Sequence, residues 1–143
     1  MHKDFARNCD LIEECYEYLL AYAAMGVSGE AEGGKAGQVR HFLDRAADAL
    51  TGISEMCADV VSEAAESAQQ YKPFLAVLDR DARDSHAAIE LVRAQPMISS
   101  QLIDNLNASI HLRALLTDLF LIDEVRKLQS ASEAATSENA AGS

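Results

Sequence analysis

From residue 39 to residue 64 the apolar side chains recur at alternating steps of four and three: Val39, Leu43, Ala46, Leu50, Ile53, Cys57, Val60 and Ala64. This spacing brings a side chain back to one edge of an α-helix every turn, whereas a strand alternates with period two and would scatter the same residues over both faces. Phe5, Cys9, Ile12, Tyr16, Leu19 and Ala23 repeat the pattern near the N-terminus. Leu75, Leu78, Ala82, Ser85, Ile89 and Val92 repeat it further on, with Asp79–Arg83 and Arg80–Asp84 one turn apart as charge pairs on the solvent side. Seams this narrow belong to helices packed at shallow crossing angles.

The breaks between seams follow from backbone chemistry. Five of the seven glycines fall in GVSGEAEGGKAG, so residues 26–37 are expected to form a flexible linker. Pro73 and Pro96, the two prolines, each disfavour continuation of a preceding helix. The spacing therefore predicts helices over about 3–25, 37–70, 73–94 and 98–128. Rods of roughly 33 Å or more joined by short connections run antiparallel. The expected fold is all-α: an antiparallel, up-down-up-down four-helix bundle over residues 1–128. The polar stretch QSASEAATSENAAGS, residues 129–143, has nothing apolar to pack and is expected to be a disordered tail.

The fourth segment departs from the pattern. Its seam begins as Leu102, Leu106 and Ile110 but then meets Arg113 and Thr117, so either the apolar face rotates or the helix breaks near 105–109, where Asn and Ser favour caps. The stretch LLTDLFLI at 115–122 holds six large apolar residues in eight. A helix apolar nearly all round has to be covered on more than one side. A second contact surface is expected here, with Leu112, Leu115, Leu119, Leu121 and Ile122 as interface residues of a homodimer, and Leu11, Tyr18 and Tyr22 as further off-seam candidates; the alternative is that the long second helix and the glycine-rich loop wrap the stretch within one subunit.

Composition narrows the partners. Twelve basic and 23 acidic residues give a net charge of −11, a field that repels nucleic acid and anionic membrane surfaces and favours a basic or apolar protein partner. Cys9, Cys15 and Cys57 are odd in number and contain no CxxC pair, which points to free thiols in a reducing, cytoplasmic setting. MHKDFARNCD does not read as a signal peptide, and no apolar run approaches a membrane span.

Several patterns bear on chemistry. Gly29 to Ala36 approaches the P-loop signature, yet Ala36 has no hydroxyl for Mg²⁺ and Glu30 and Glu32 would face the phosphates, so the stretch reads as linker. His41-Phe42-Leu43-Asp44-Arg45-Ala46-Ala47-Asp48-Ala49-Leu50 resembles histidine-phosphotransfer domains, which are acidic four-helix bundles with an exposed phosphorylated histidine, a leucine two residues on, and small residues at plus five and six. The resemblance implies His41 as phosphoacceptor, though Asp44 and Arg45 stand where that family has a basic residue and a glycine. His86 and Glu90 share a helical face, as in hemerythrin-like bundles, and form the candidate metal pair; no Glu-x-x-His occurs, and no metal or other cofactor is expected. Cys9 and Cys57 lie on seams and Cys15 has Glu14 beside it, surroundings that disfavour a thiolate nucleophile. The expected function is thus non-catalytic protein–protein binding by an oligomeric bundle, as an adaptor, assembly factor or small chaperone. The alternatives are phosphotransfer at His41 and a bundle interior that holds a metal or small ligand.

Overall fold

The computed structural model describes residues 2–28, 35–63 and 68–142, and is all-helical over them. Six helices occur among the described residues: α1 (His2–Ala23), α2 (Lys35–Leu50), α3 (Ile53–Ser62), α4 (Ala68–Arg93), α5 (Ser100–Ala108) and α6 (His111–Gly142). Most of the P-loop-like stretch, and Ala64 of the second seam, lie outside the described residues.

Two expected helices are each divided in two. The second breaks at Thr51–Gly52, where Gly52 takes the left-handed backbone (φ 82°, ψ −1°) that costs glycine nothing. Thr51 closes α2 by returning both its amide and its hydroxyl to the Ala47 carbonyl. The seam nevertheless runs through the break, with Leu50, Ile53, Cys57 and Val60 all buried. The fourth breaks at Ser109–Ile110, the site where the sequence left a break or a rotation open. Ser109 donates from its hydroxyl to the Leu106 carbonyl and ends α5, and Ile110 takes a positive φ of 61°. That conformation is a costly one for a β-branched residue. It turns Ile110 outward to 59 % exposure, not inward as the seam Leu102–Leu106–Ile110 implied.

Two boundaries also differ. The third rod starts at Ala68, five residues before Pro73, so the proline sits in its second turn and forgoes the backbone bond to the Gln69 carbonyl. The last helix continues to Gly142, through the tail expected to be disordered; alanine-rich sequence with no proline, and no glycine before Gly142, has the propensity to extend it.

Packing follows a ring. α1 lies against α2 and α3 on one side and against α5 and α6 on the other, and α4 touches the same two pairs. Among the described residues α1 and α4 do not meet across the ring, and neither do α2–α3 and α5–α6. Neighbours are antiparallel: Tyr18 stacks on Phe42 while Asn8 reaches Met56, and Arg93 of α4 pairs with Asp44 of α2 at 2.8 Å. The Tyr71 hydroxyl meets Gln129 at 2.5 Å, which places the start of α4 beside the middle of α6.

One end is tied by polar groups. Tyr22 donates to the Ile98 carbonyl at 2.6 Å, and buried Ser100 donates its hydroxyl to the Tyr22 carbonyl while accepting from the Val27 amide. Arg40 donates to the carbonyls of Arg93, Gln95 and Pro96, so a cation covers the exposed acceptors at the C-terminus of α4. Tyr22 is therefore a buried strut; the sequence had offered it as an external contact. In α1 the buried set is Phe5, Ile12, Cys15, Leu19 and Tyr22, with Tyr16 and Ala23 only half-buried. The core stripe thus shares Phe5, Ile12 and Leu19 with the predicted seam and lies one residue before it at Cys15 and Tyr22.

Candidate interaction face

Of the five residues nominated as an interface, four are enclosed by their own chain: Leu112, Leu115, Leu119 and Ile122 are at most 7 % exposed. The cause is the position of α6, which packs against α4, α1 and α5 at once. At 100° per residue, Leu112, Leu115, Leu116, Leu119 and Ile122 fan over an arc of about 120°, and a helix with three neighbours can bury an arc that wide. The premise that these side chains exceed what one subunit can hide is corrected for those four. Leu121, the fifth, is 52 % exposed.

The large apolar side chains that do reach solvent are unevenly placed. Val77 and Leu91 are on α4, Met97 on the α4–α5 connection, Ile110 at the α5–α6 junction, and Leu121 and Leu128 on α6. Of the others, Leu20 and Met25 belong to α1 and the turn after it, and Phe120 overhangs a groove between α1 and α6 lined by Phe5, Cys9 and Leu119. None is on α2 or α3 among the described residues. The Tyr71–Gln129 hydrogen bond sets the register of α4 against α6. By that register Val77 lies across from Leu121 and half-buried Phe74 across from half-buried Val125. Towards the other end Leu91, Val92, Pro96, Met97 and Leu102 line an open groove of about 530 Å³. These residues share one side of the molecule along α4 and α5–α6, with exposed Asp84 between Val77 and Leu91 on α4.

A buried polar cluster lies in the seam beneath this face. Asp118 is 8 % exposed, and its Oδ2 has no hydrogen-bond partner among the described residues. Burial, then a hydrogen bond with Asp81, then the charge of Asp81, push its carboxyl from an ordinary 3.8 to about 7. Ser85, one turn beyond Asp81 on α4, is 1 % exposed and its hydroxyl is likewise unpartnered. Ser85 belongs to the predicted seam, but Asp118 was missed. The available signal was a lone acid three residues after Leu115 and four before Ile122, on the same helical face as both.

The remaining nominated residues are scattered. His41 is exposed on α2, edge-on to Phe42, and Phe42 stacks on Tyr18 at 4.0 Å between centroids with the Arg45 guanidinium 5.8 Å away. Asp44, one turn further along α2, is paired with Arg93. His86 and Glu90 approach to 3.8 Å, Glu90 also pairs with Arg93, and no third His, Cys, Asp or Glu completes a metal-holding group with them among the described residues. Burial pushes the Cys9 thiol to about 12, with the neighbouring Cys57 and Asp10 adding to it, and pushes Cys15 and Cys57 to about 11. Such thiols are poor nucleophiles near neutrality. No described helix is long and apolar enough to cross a membrane. Compared with protein-family models, with curated proteins and with solved structures, the chain matches none of them.

Proposed function

We propose that this chain is a four-helix bundle, with its second and fourth rods broken at Gly52 and Ile110, and that it works without catalysis by docking another protein on the α4/α5–α6 face. Its first occupant is a second copy of itself. The observation that supports this is the gathering of Val77, Leu91, Met97, Ile110, Leu121 and Leu128 along α4 and α5–α6 while α2 and α3 present none. Six of the nine large exposed apolar side chains among the described residues fall on this side, a one-sided placement that suits an interface. The reading keeps Leu121 from the sequence-derived interface and replaces its buried companions with residues of α4 and the helix junctions.

The face carries both signs of charge, although the chain as a whole is acidic at −11. Exposed Asp84 lies within the strip between Val77 and Leu91, and exposed Arg113 and Glu124 lie beside it on α6, so a two-fold pairing can set Arg113 of one subunit near an acid of the other. A homodimer of this kind suits an adaptor, assembly factor or small chaperone, and a basic or apolar client could compete for the same face. Light scattering tests it: the purified protein gives twice 15.5 kDa, Leu121→Glu gives 15.5 kDa, and Phe120→Glu, off the face, keeps the dimer. A 15.5 kDa species for the unaltered chain at every concentration refutes the reading.

A further inference from the structure

We infer that the groove between α1 and α6 is a binding site for an organic monocation with an apolar body, such as an alkyl or aryl ammonium ion. The groove lies off the α4/α5–α6 face, so this site and the docking reading stand or fall separately.

Helix spacing builds the site. Phe5, Cys9 and Glu13 recur at every fourth residue of α1, and Leu119, Phe120, Asp123 and Arg126 line the facing side of α6. The space between them is about 330 Å³, near the lower end of the volumes that hold small organic molecules. Its walls are largely apolar: Phe5 and Leu119 are buried, Cys9 is half-buried beside them, and Phe120 overhangs them at 51 % exposure.

An apolar lining alone would not choose a ligand, but the charges around it do. Because α1 and α6 are antiparallel neighbours, Glu13 lies towards the Leu119–Phe120 end, Asp10 and Asp123 near the middle, and Arg126 towards Phe5. Asp123 is engaged by Lys127 at 3.1 Å. Arg126 is the one base in the described lining, and its charge also bears on Cys57. Asp10 and Glu13 have no ion pair or hydrogen bond among the described residues. Lys3 and Arg7 flank Asp10 from a separate groove shared with Leu11 and Glu14, and neither pairs with it. Asp10, Glu13 and Asp123 against Arg126 and Lys127 leave one negative charge uncompensated, which a monocation neutralises. Glu13 is half-buried where Asp10 and Asp123 are exposed, so solvent screens its charge least. The negative field reaches the inside of the groove: after burial and Cys57, the charges of Asp10, Asp123 and Glu13 hold the Cys9 thiol up. A cationic head between Glu13 and Phe120 gains both the carboxylate and the aromatic ring, while its apolar body covers Phe5, Cys9 and Leu119. A neutral ligand forgoes the first gain, and an anion is repelled.

Amide NMR titration of the full chain tests this with three probes of one shape: 4-phenylbutylammonium, 4-phenylbutanol and 4-phenylbutanoate. The ammonium ion is expected to saturate, with shifts gathered on residues 5–13 and 119–126. The alcohol moves the same amides about tenfold more weakly, and the carboxylate leaves them unmoved. Glu13→Gln brings the ammonium ion down to the affinity of the alcohol without changing the alcohol, whereas Phe120→Ala weakens both. An alcohol that binds as tightly as the ammonium ion refutes the cation site, as do ammonium shifts that fail to saturate or that scatter over the acidic surface. If either variant does not fold, the three probes on the unaltered protein decide.

Discussion

Leu115→Ala separates a helix covered by its own chain from one covered by a partner. Leu115 has no solvent exposure. Truncation removes three buried carbons at about 0.8 kcal/mol each, or about 2.4 kcal/mol of transfer free energy. The cavity left among α1, α4 and α6 raises the total to about 3 kcal/mol. Leu20→Ala is the control: the same chemical change at a position 47 % exposed and away from the α4/α5–α6 face leaves no cavity and costs about 1 kcal/mol. In urea, with a slope near 2 kcal/mol per molar for a chain of this size, Leu115→Ala lowers the midpoint by about 1.5 M and Leu20→Ala by about 0.5 M. Helical circular dichroism at one fixed protein concentration follows both transitions. Equal shifts for the two variants refute the inward placement of Leu115 and restore it to the surface.

Arg40→Ala removes three charge-assisted hydrogen bonds to the carbonyls at the end of α4. It lowers stability by about 2 kcal/mol, read as a urea midpoint, and Arg40→Lys recovers little because an ammonium lacks the planar fork. The thiols respond to unfolding: with Cys9 at about 12 and Cys15 and Cys57 at about 11, native protein at pH 8 reacts with a disulfide reagent at least a hundredfold more slowly than urea-unfolded protein. Equal rates contradict the burial of these side chains.

Much of the helical content was legible in spacing, since Val39 through Val60 keep their steps of four and three and remain buried even where the chain bends. The bends were less legible. Gly52 sits inside an unbroken apolar register, and nothing in the spacing tells a glycine passed over within a helix from one that turns left-handed. The junction at Ser109 was easier, because Arg113 and Thr117 interrupt the register and Asn and Ser supply caps. For α6 the width of the apolar arc was legible but the number of helices against it was not: an arc too wide for one partner helix is ordinary for a helix with three. The candidate face was legible only in Leu121. Val77, Leu91 and Met97 become part of one surface once antiparallel packing sets α4 beside α5–α6, and that juxtaposition is not in local sequence.

The docking face itself is tested most directly by amide NMR spectra recorded over a dilution series of the unaltered protein. Shifts that move with concentration and cluster on α4 and on α5–α6, around Val77, Leu91, Ile110 and Leu121, are the result expected. Spectra that do not change with concentration, or changes that fall on α2 and α3, contradict the account.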